Sequence, residues 1–247
     1  MKKTLIALMA LAGVLSANAY DVWTLDSATA SDNGTVTTNN VEITLDGFTQ
    51  TPTQAVSYTD GSFEYVTMSD FDFKAGSEAP NSYTLMTFVN FSSLDGELFI
   101  FGTGSDHNGG VALSYIGGQL AFTQKRIDHY KSGITLNTNT WYHIAVAYDN
   151  TDNTATFFVN GEEKASVTLG DSYAGPTGSN VYFGAASTNG SQDNFAGSIA
   201  QFQIVKGVAL DAAGVLSVAN PPIVPEPATA TLSLLALAGL AARRRRK

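Results

Sequence analysis

The chain has 247 residues and no cysteine, with 13 Lys and Arg against 22 Asp and Glu and an aromatic content of 11%. Without cysteine there are no disulfides, no catalytic thiol and no Cys-based zinc site, so an apolar core must supply the stability. Between Tyr20 and Pro227 only Lys74, Lys125, Arg126, Lys131, Lys164 and Lys206 stand against all 22 acids, a net charge of −16 that argues against nucleic acid as a partner.

The chain opens with Lys2 and Lys3, an apolar run from Leu5 to Leu15, and Ala17-Asn18-Ala19. This order of cations, apolar stretch and small-x-small site predicts a signal peptide over residues 1–19, cut by signal peptidase to leave Tyr20 first. The apolar run falls short of the roughly 20 residues of a spanning helix, so a retained anchor is the weaker alternative. Residues 20–219 are then read as one domain, because about 205 residues between the two terminal segments suit one large β-sandwich better than two domains without a linker.

Within it, short apolar or alternating runs recur at Val41–Leu45, Phe63–Val66, Tyr83–Phe91, Leu98–Phe101, Val111–Ile116 and Leu120–Thr123, punctuated by Gly, Asp and Asn. That spacing predicts an all-β sandwich or barrel, and no long helical periodicity or fixed repeat competes with it. In Tyr142–Tyr148 the even positions are large and apolar, which assigns them to the core and sets His143, Ala145 and Ala147 on the other face. Asn160-Gly161 between Ala155–Val159 and Glu162–Leu169 predicts a two-residue hairpin turn with both central residues at positive φ. Phe157 and Val159 would then face inward with Val167 and Leu169, leaving Glu162 and Lys164 in water. Further strands are expected at Val181–Ala185 and Ser198–Val205.

Residues 220–247 carry Pro225-Glu226-Pro227, an uncharged apolar segment over 228–242, and Arg243, Arg244, Arg245, Arg246 and Lys247. Five cations cross an apolar membrane poorly, so the tail is expected to stop inside with the domain outside. Fifteen apolar residues fall below the usual ~17 to 25 of a stable span, which suits a transient anchor. The arrangement resembles the PEP-CTERM sorting signal, and that resemblance implies processing by an exosortase-type membrane enzyme. An ordinary C-terminal anchor explains the helix and the arginines but not the Pro-Glu-Pro.

The segments WYHIAVAYD (141–149), TFFVNGEEKAS (156–166), VYFGAA (181–186) and FAGSIAQFQIVKGVAL (195–210) follow one another in the order of the closing strands of laminin-G-like domains. The chain thus resembles the concanavalin A-like lectins and glucanases, strongly over 83–211 and weakly over 20–80. The resemblance implies an antiparallel two-sheet jelly-roll β-sandwich, a carbohydrate ligand, and a structural role for His143 beside Trp141 rather than metal ligation.

The glucanase members of that superfamily use a Glu-x-Asp-x-x-Glu strand. Here Thr44, Val66, Phe99 and Lys164 stand two positions after Glu42, Glu64, Glu97 and Glu162, while Pro80 and Ala165 follow Glu78 and Glu163. No strand sets a pair of carboxyls on one face at the roughly 5 to 9.5 Å a glycosidase needs, so a non-catalytic domain is expected and a divergent glycoside hydrolase is the lesser reading. Gly102-Thr103-Gly104 and Gly109-Gly110 lack the Lys and helix of a phosphate loop and read as hairpin loops. Calcium is the one cofactor considered: Asp106 and Asn108, or Asp149, Asn150, Asp152 and Asn153, offer loop oxygens, against the alternative that such residues simply make turns.

Lys125, Arg126, His129, Tyr130 and Lys131 gather half of the domain's cations with two aromatic rings. They are the candidate ligand site, with Tyr130 stacking on a sugar and Arg126 pairing with a carboxylate or sulfate of an acidic glycan, against a solvated strand or loop as the alternative. The expected function is that of an exported, envelope-located domain that binds carbohydrate. A structural or adhesive protein of the envelope or extracellular matrix without a sugar ligand is the rival.

Overall fold

The computed structural model describes residues 31–33, 37–41, 43–48, 53–59, 65–68, 82–103, 110–124, 128–170, 181–186 and 195–220. Among these, the strands in chain order are β1 (Ser31–Asn33), β2 (Thr37–Val41), β3 (Thr53–Tyr58), β4 (Tyr65–Met68), β5 (Tyr83–Phe91), β6 (Glu97–Thr103), β7 (Val111–Ile116), β8 (Gln119–Gln124), β9 (Asp128–Lys131), β10 (Trp141–Asp149), β11 (Thr154–Val159), β12 (Glu162–Thr168), β13 (Val181–Phe183) and β14 (Gly197–Lys206). One helix, α1 (Ala212–Ala219), follows. The strands form two seven-stranded antiparallel sheets, a first in the order β1-β4-β13-β6-β7-β8-β9 and a second in the order β12-β11-β10-β5-β14-β3-β2. This is the antiparallel two-sheet jelly-roll sandwich that the laminin-G-like resemblance implies.

Period-two alternation decides which side chains meet between the sheets. Ile144, Val146 and Tyr148 of β10 join Leu85, Val89 and Phe91 of β5, and Leu113, Leu120 and Phe122 of the first sheet, in one core. Phe157, Val159 and Leu169 lie in it as expected, with Val167 packed against it. The hairpin turn has Asn160 at φ 53° and Gly161 at φ 78°, and Val159 pairs with Glu162, so its loop is two residues long. Glu162 and Lys164 are exposed and ion-paired to each other.

Alternation breaks where the register shifts, most sharply in β14. Gln201 of β14 sits at φ 49° where the register to β5 shifts, a β-bulge that puts Ile199 and then Phe202 and Ile204 on the inner face. Phe202 thereby reaches Phe183 and Phe101, with ring centroids at 4.4 and 5.0 Å.

The second sheet is covered on its outer face as well. Ala145, Ala147, Met86, Phe88 and Ala200 pack against Val215, Val218 and Ala219 of α1 and against Ile43 and Phe48. The expected strand over Val41–Leu45 is therefore corrected: β2 ends at Val41, and the apolar side chains of Ile43 and Phe48 cover this face instead of extending the sheet. α1 has only two turns, too few for a helical period to stand out in the sequence, and it starts from Asp211, whose carboxylate accepts from the Gly214 amide at 2.8 Å. The reading of Gly102-Thr103 as loop is also corrected, since both residues belong to β6. A Cβ on Gly102 would lie 2.1 Å from the Ala186 carbonyl oxygen, so this close approach needs glycine.

Trp141 and His143 both pack into the outer cluster. The His143 ring is 1% exposed, with centroids 4.7 Å from Phe48 and 4.9 Å from Phe88, and neither ring nitrogen has a hydrogen-bond partner. Burial among apolar rings penalises the cation and lowers its pKa from 6.5 to about 3. The unfolded chain therefore takes up a proton that the folded one refuses as pH falls below 6.5. Stability should decline by up to about 1.4 kcal/mol per pH unit on going from pH 6.5 towards 3. His143→Phe, which keeps a ring between Phe48 and Phe88, is expected to flatten that slope in urea denaturation followed across pH; an unchanged slope would assign it to other groups.

Candidate functional site

The outer face of the first sheet differs in chemistry from that of the second. In β7 and β8 the residues that alternate with the core positions include Ala112, Ser114, Ala121 and Thr123, all four buried and two of them hydroxylic. Ser114 pairs with Ala121 across β7 and β8, and Thr123 pairs with His129 across β8 and β9. The register thus brings Ser114, Thr123 and His129 into one row. Ser114 Oγ lies 2.8 Å from Thr123 Oγ1, which lies 2.9 Å from His129 Nδ1.

Ser114 Oγ also donates to the Ala121 carbonyl at 3.3 Å. Taking that contact as the use of the Ser114 hydrogen, we assign the direction of the row so that Ser114 accepts from Thr123 and Thr123 accepts from His129 Nδ1–H. In that tautomer the lone pair lies on Nε2, on an exposed residue of the sheet's edge strand. Lys131, also exposed, follows His129 on the same face of β9, and its Nζ would meet a Cβ on Gly117 at 3.0 Å, which places the ammonium over the β7–β8 turn.

Tyr130 points the other way. Its ring is half-buried against the inter-sheet core, and its hydroxyl accepts from the Gly170 amide at 2.9 Å. Gly170 lies two residues beyond β12, an edge strand of the second sheet, so Tyr130 ties the two sheet edges together. The structure therefore groups His129 with Lys131 and separates Tyr130 from both. Lys125 and Arg126 lie outside the described residues, as do Asp106 and Asn108, Ala17 and Ala19, Pro225, Glu226 and Pro227, and Arg243 to Arg246. Ser114 and Thr123 were not singled out from the sequence, since nothing local distinguishes them from other polar residues of alternating strands.

The second set of candidate calcium ligands forms the turn between β10 and β11. Asp149 Oδ1 accepts from the Thr151 amide at 2.8 Å, and the side-chain oxygens of Asn150 and Asn153 accept from the Tyr148 hydroxyl at 3.3 and 3.1 Å. Asn153, at φ 57°, also donates to the carbonyls of Leu169 and Gly170. Burial, with the charges of Asp149 and Asp152, raises the Tyr148 pKa to about 12, so its hydroxyl stays a donor to this turn. These residues hold the turn and the end of β12 together, and among the described residues no group of three or more His, Asp or Glu side chains converges. Nor, among the described residues, is any helix long and apolar enough to cross a membrane.

Sheet order, bulge and closing strands define a lectin-type β-sandwich. Residues 60–215 match the family model of the concanavalin A-like lectin/glucanase superfamily, laminin-G type, and residues 224–247 match the PEP-CTERM protein-sorting motif. The chain belongs to the concanavalin A-like lectin/glucanase superfamily, and its sorting motif marks it as an exported, envelope-associated protein.

Among solved structures it is similar to domain 4 of AbnA, a GH43 extracellular arabinanase from Geobacillus stearothermophilus, with 20% identity and a TM-score of 0.56 over 76% of this chain and 82% of that one. It is also similar to a botulinum neurotoxin type C structure, with 14% identity and a TM-score of 0.56 over 81% of this chain and 46% of the other. A third likeness is to a putative carbohydrate binding protein from Bacteroides ovatus, with 21% identity and a TM-score of 0.52 over 66% and 46%. No curated protein matches the sequence.

Thr123→Val keeps the shape of the side chain but removes the hydroxyl that His129 needs. It is expected to cost about 1–3 kcal/mol in urea denaturation. The ring ¹⁵N shifts should report a single Nδ1–H tautomer for His129 in the parent and a mixture in the variant; the same mixture in both would contradict the direction assigned to the row.

Proposed function

We propose that this exported protein is a non-catalytic envelope domain that binds carbohydrate at the corner formed by β8 and β9. The observation that carries the reading is the row Ser114, Thr123 and His129, which presents an oriented acceptor, His129 Nε2, beside the Lys131 ammonium. An acceptor for sugar hydroxyls next to a cation suits a glycan bearing carboxylate or sulfate groups. Lys125 and Arg126, within four residues of His129 in the sequence, would add to that preference.

Support also comes from what the similar structures are described as binding: arabinotriose for the arabinanase domain, two gangliosides for the neurotoxin, and carbohydrate for the Bacteroides protein. The non-catalytic part rests on the sequence, in which no Glu-x-Asp-x-x-Glu strand occurs. For delivery, residues 1–19 are removed by signal peptidase, the apolar segment 228–242 seats the tail in the membrane, and an exosortase-type enzyme processes it at Pro225-Glu226-Pro227.

The test is a glycan array probed with the exported protein, followed by titration of the best acidic glycan against His129→Ala and Lys131→Ala. Each variant should bind about 10-fold or more weakly, as expected for loss of a hydrogen bond that involves a charged group, while staying folded at the binding temperature; Lys131→Ala should melt like the parent, and His129→Ala lower, because it takes a partner from the buried Thr123 hydroxyl. Undiminished binding by both would remove the site from β9. A blank array would favour the structural or adhesive alternative, and release of reducing ends from any bound glycan would overturn the non-catalytic reading.

A further inference from the structure

The cover on the outer face of the second sheet reaches a row formed by Ala55, Ala200, Phe88 and His143, each opposite the next across β3, β14, β5 and β10. Phe48 lies on Phe88 and His143, and all four residues of the row are at most 2% exposed. The end of α1 is fastened nearby. Leu216 lies against Gly161, where an added Cβ would come within 2.4 Å of it, and Asn220 Nδ2 donates to the Gly47 carbonyl at 2.9 Å.

Two residues further along each strand the cover gives way. Pairing sets Ser57 opposite Ser198, Ser198 opposite Asn90, and Asn90 opposite Trp141. Alternation puts all four on the outer face, since Val56, Ile199 and Val89 beside them belong to the inter-sheet core, and Trp141 packs at the rim of the outer cluster. Unlike the row before it, this one is only half-buried along its whole length. The hydroxyl oxygens of Ser57 and Ser198 lie 3.0 Å apart. Among the described residues, neither the Asn90 side-chain amide nor the Trp141 indole N–H has a hydrogen-bond partner. With neighbouring strands about 4.8 Å apart, four strands make the row about 14 Å long.

We propose that this row is a second glycan site, one that takes an uncharged oligosaccharide. The indole of Trp141 offers a flat apolar surface for the C–H face of a sugar ring, and the Asn90 amide and the two serine hydroxyls offer donors and acceptors for its hydroxyl groups. An apolar surface with a few placed polar groups is the usual composition of a small-ligand site. The row contains no charged side chain, so nothing in it favours a carboxylate or sulfate. It lies on the opposite face of the sandwich from the β8–β9 corner and shares no residue with it, so each site stands or falls by itself.

The ¹⁵N-labelled exported protein is titrated with maltotriose, cellotriose, arabinotriose and the uncharged oligosaccharides retained by a glycan array. With at least one of them, the Trp141 indole and Asn90 side-chain amide resonances should shift saturably. Asn90→Ala and Trp141→Ala should each weaken that binding about 10-fold, as expected for loss of one hydrogen-bonding or stacking group. Asn90→Ala removes a half-buried amide without a described partner and should melt like the parent, so it carries the test if Trp141→Ala does not fold. Binding that Asn90→Ala leaves at full strength would overturn the site, as would the absence of binding by every uncharged sugar. Shifts that map to His129 and Lys131 in place of the row would overturn it too, by moving the sugar to the β8–β9 corner. Failure of acidic glycans to bind at that corner would leave the row unaffected.

Discussion

The structure depends on the need to cover the second sheet on both faces. β10, β5 and β14 lie inside that sheet, and the alternating side chains of each are mostly apolar on both sides, so neither face can be left to water. One face meets the other sheet through large residues. The opposite face carries small ones, Ala145, Ala147 and Ala200, and this shallow surface admits a short helix and the segment from Ile43 to Phe48. The neutrality of His143, the contact of Leu216 with Gly161, and the place where the described chain finishes all follow from that covering.

The first sheet meets the same requirement differently. Its outer residues at β7 and β8 include hydroxyls that are buried and therefore must be paired. They are paired with each other and, at the sheet edge, with His129. Pairing a buried hydroxyl with an edge imidazole couples the interior of the sheet to an exposed group whose orientation is then no longer free. Within the same four-residue strand, period two sends Tyr130 inward, where it fastens the edges of the sandwich. Neighbouring residues that look like one cluster in the sequence are thus divided between the exposed face of β9 and the closure of the sandwich.

The turn between β10 and β11 shows how oxygen-rich loops can serve structure. Asn153 adopts positive φ, and its side chain bridges Tyr148 to the end of β12; Asp149 holds the Thr151 amide. These bonds engage oxygens that composition alone would offer to a cation, and they tie the β10–β11 turn to the end of β12.

The sequence by itself determined the strands from Tyr83 to Val205 other than β9, the core face of β10 and the Asn160-Gly161 hairpin, because alternation and turn geometry are local properties of adjacent residues. It also carried the family resemblance and the sorting motif, which are linear patterns. It missed α1, whose two turns are too short for a helical period, and it misread Ile43–Leu45 as strand, because an apolar segment that caps a sheet resembles one that extends it. Only the tertiary structure decided that Ser114, Thr123 and His129 form a row, that Tyr130 points away from Lys131, and that the described chain finishes beside Gly161. Each of these is a matter of register or chain reversal between residues distant in sequence, which no local pattern encodes.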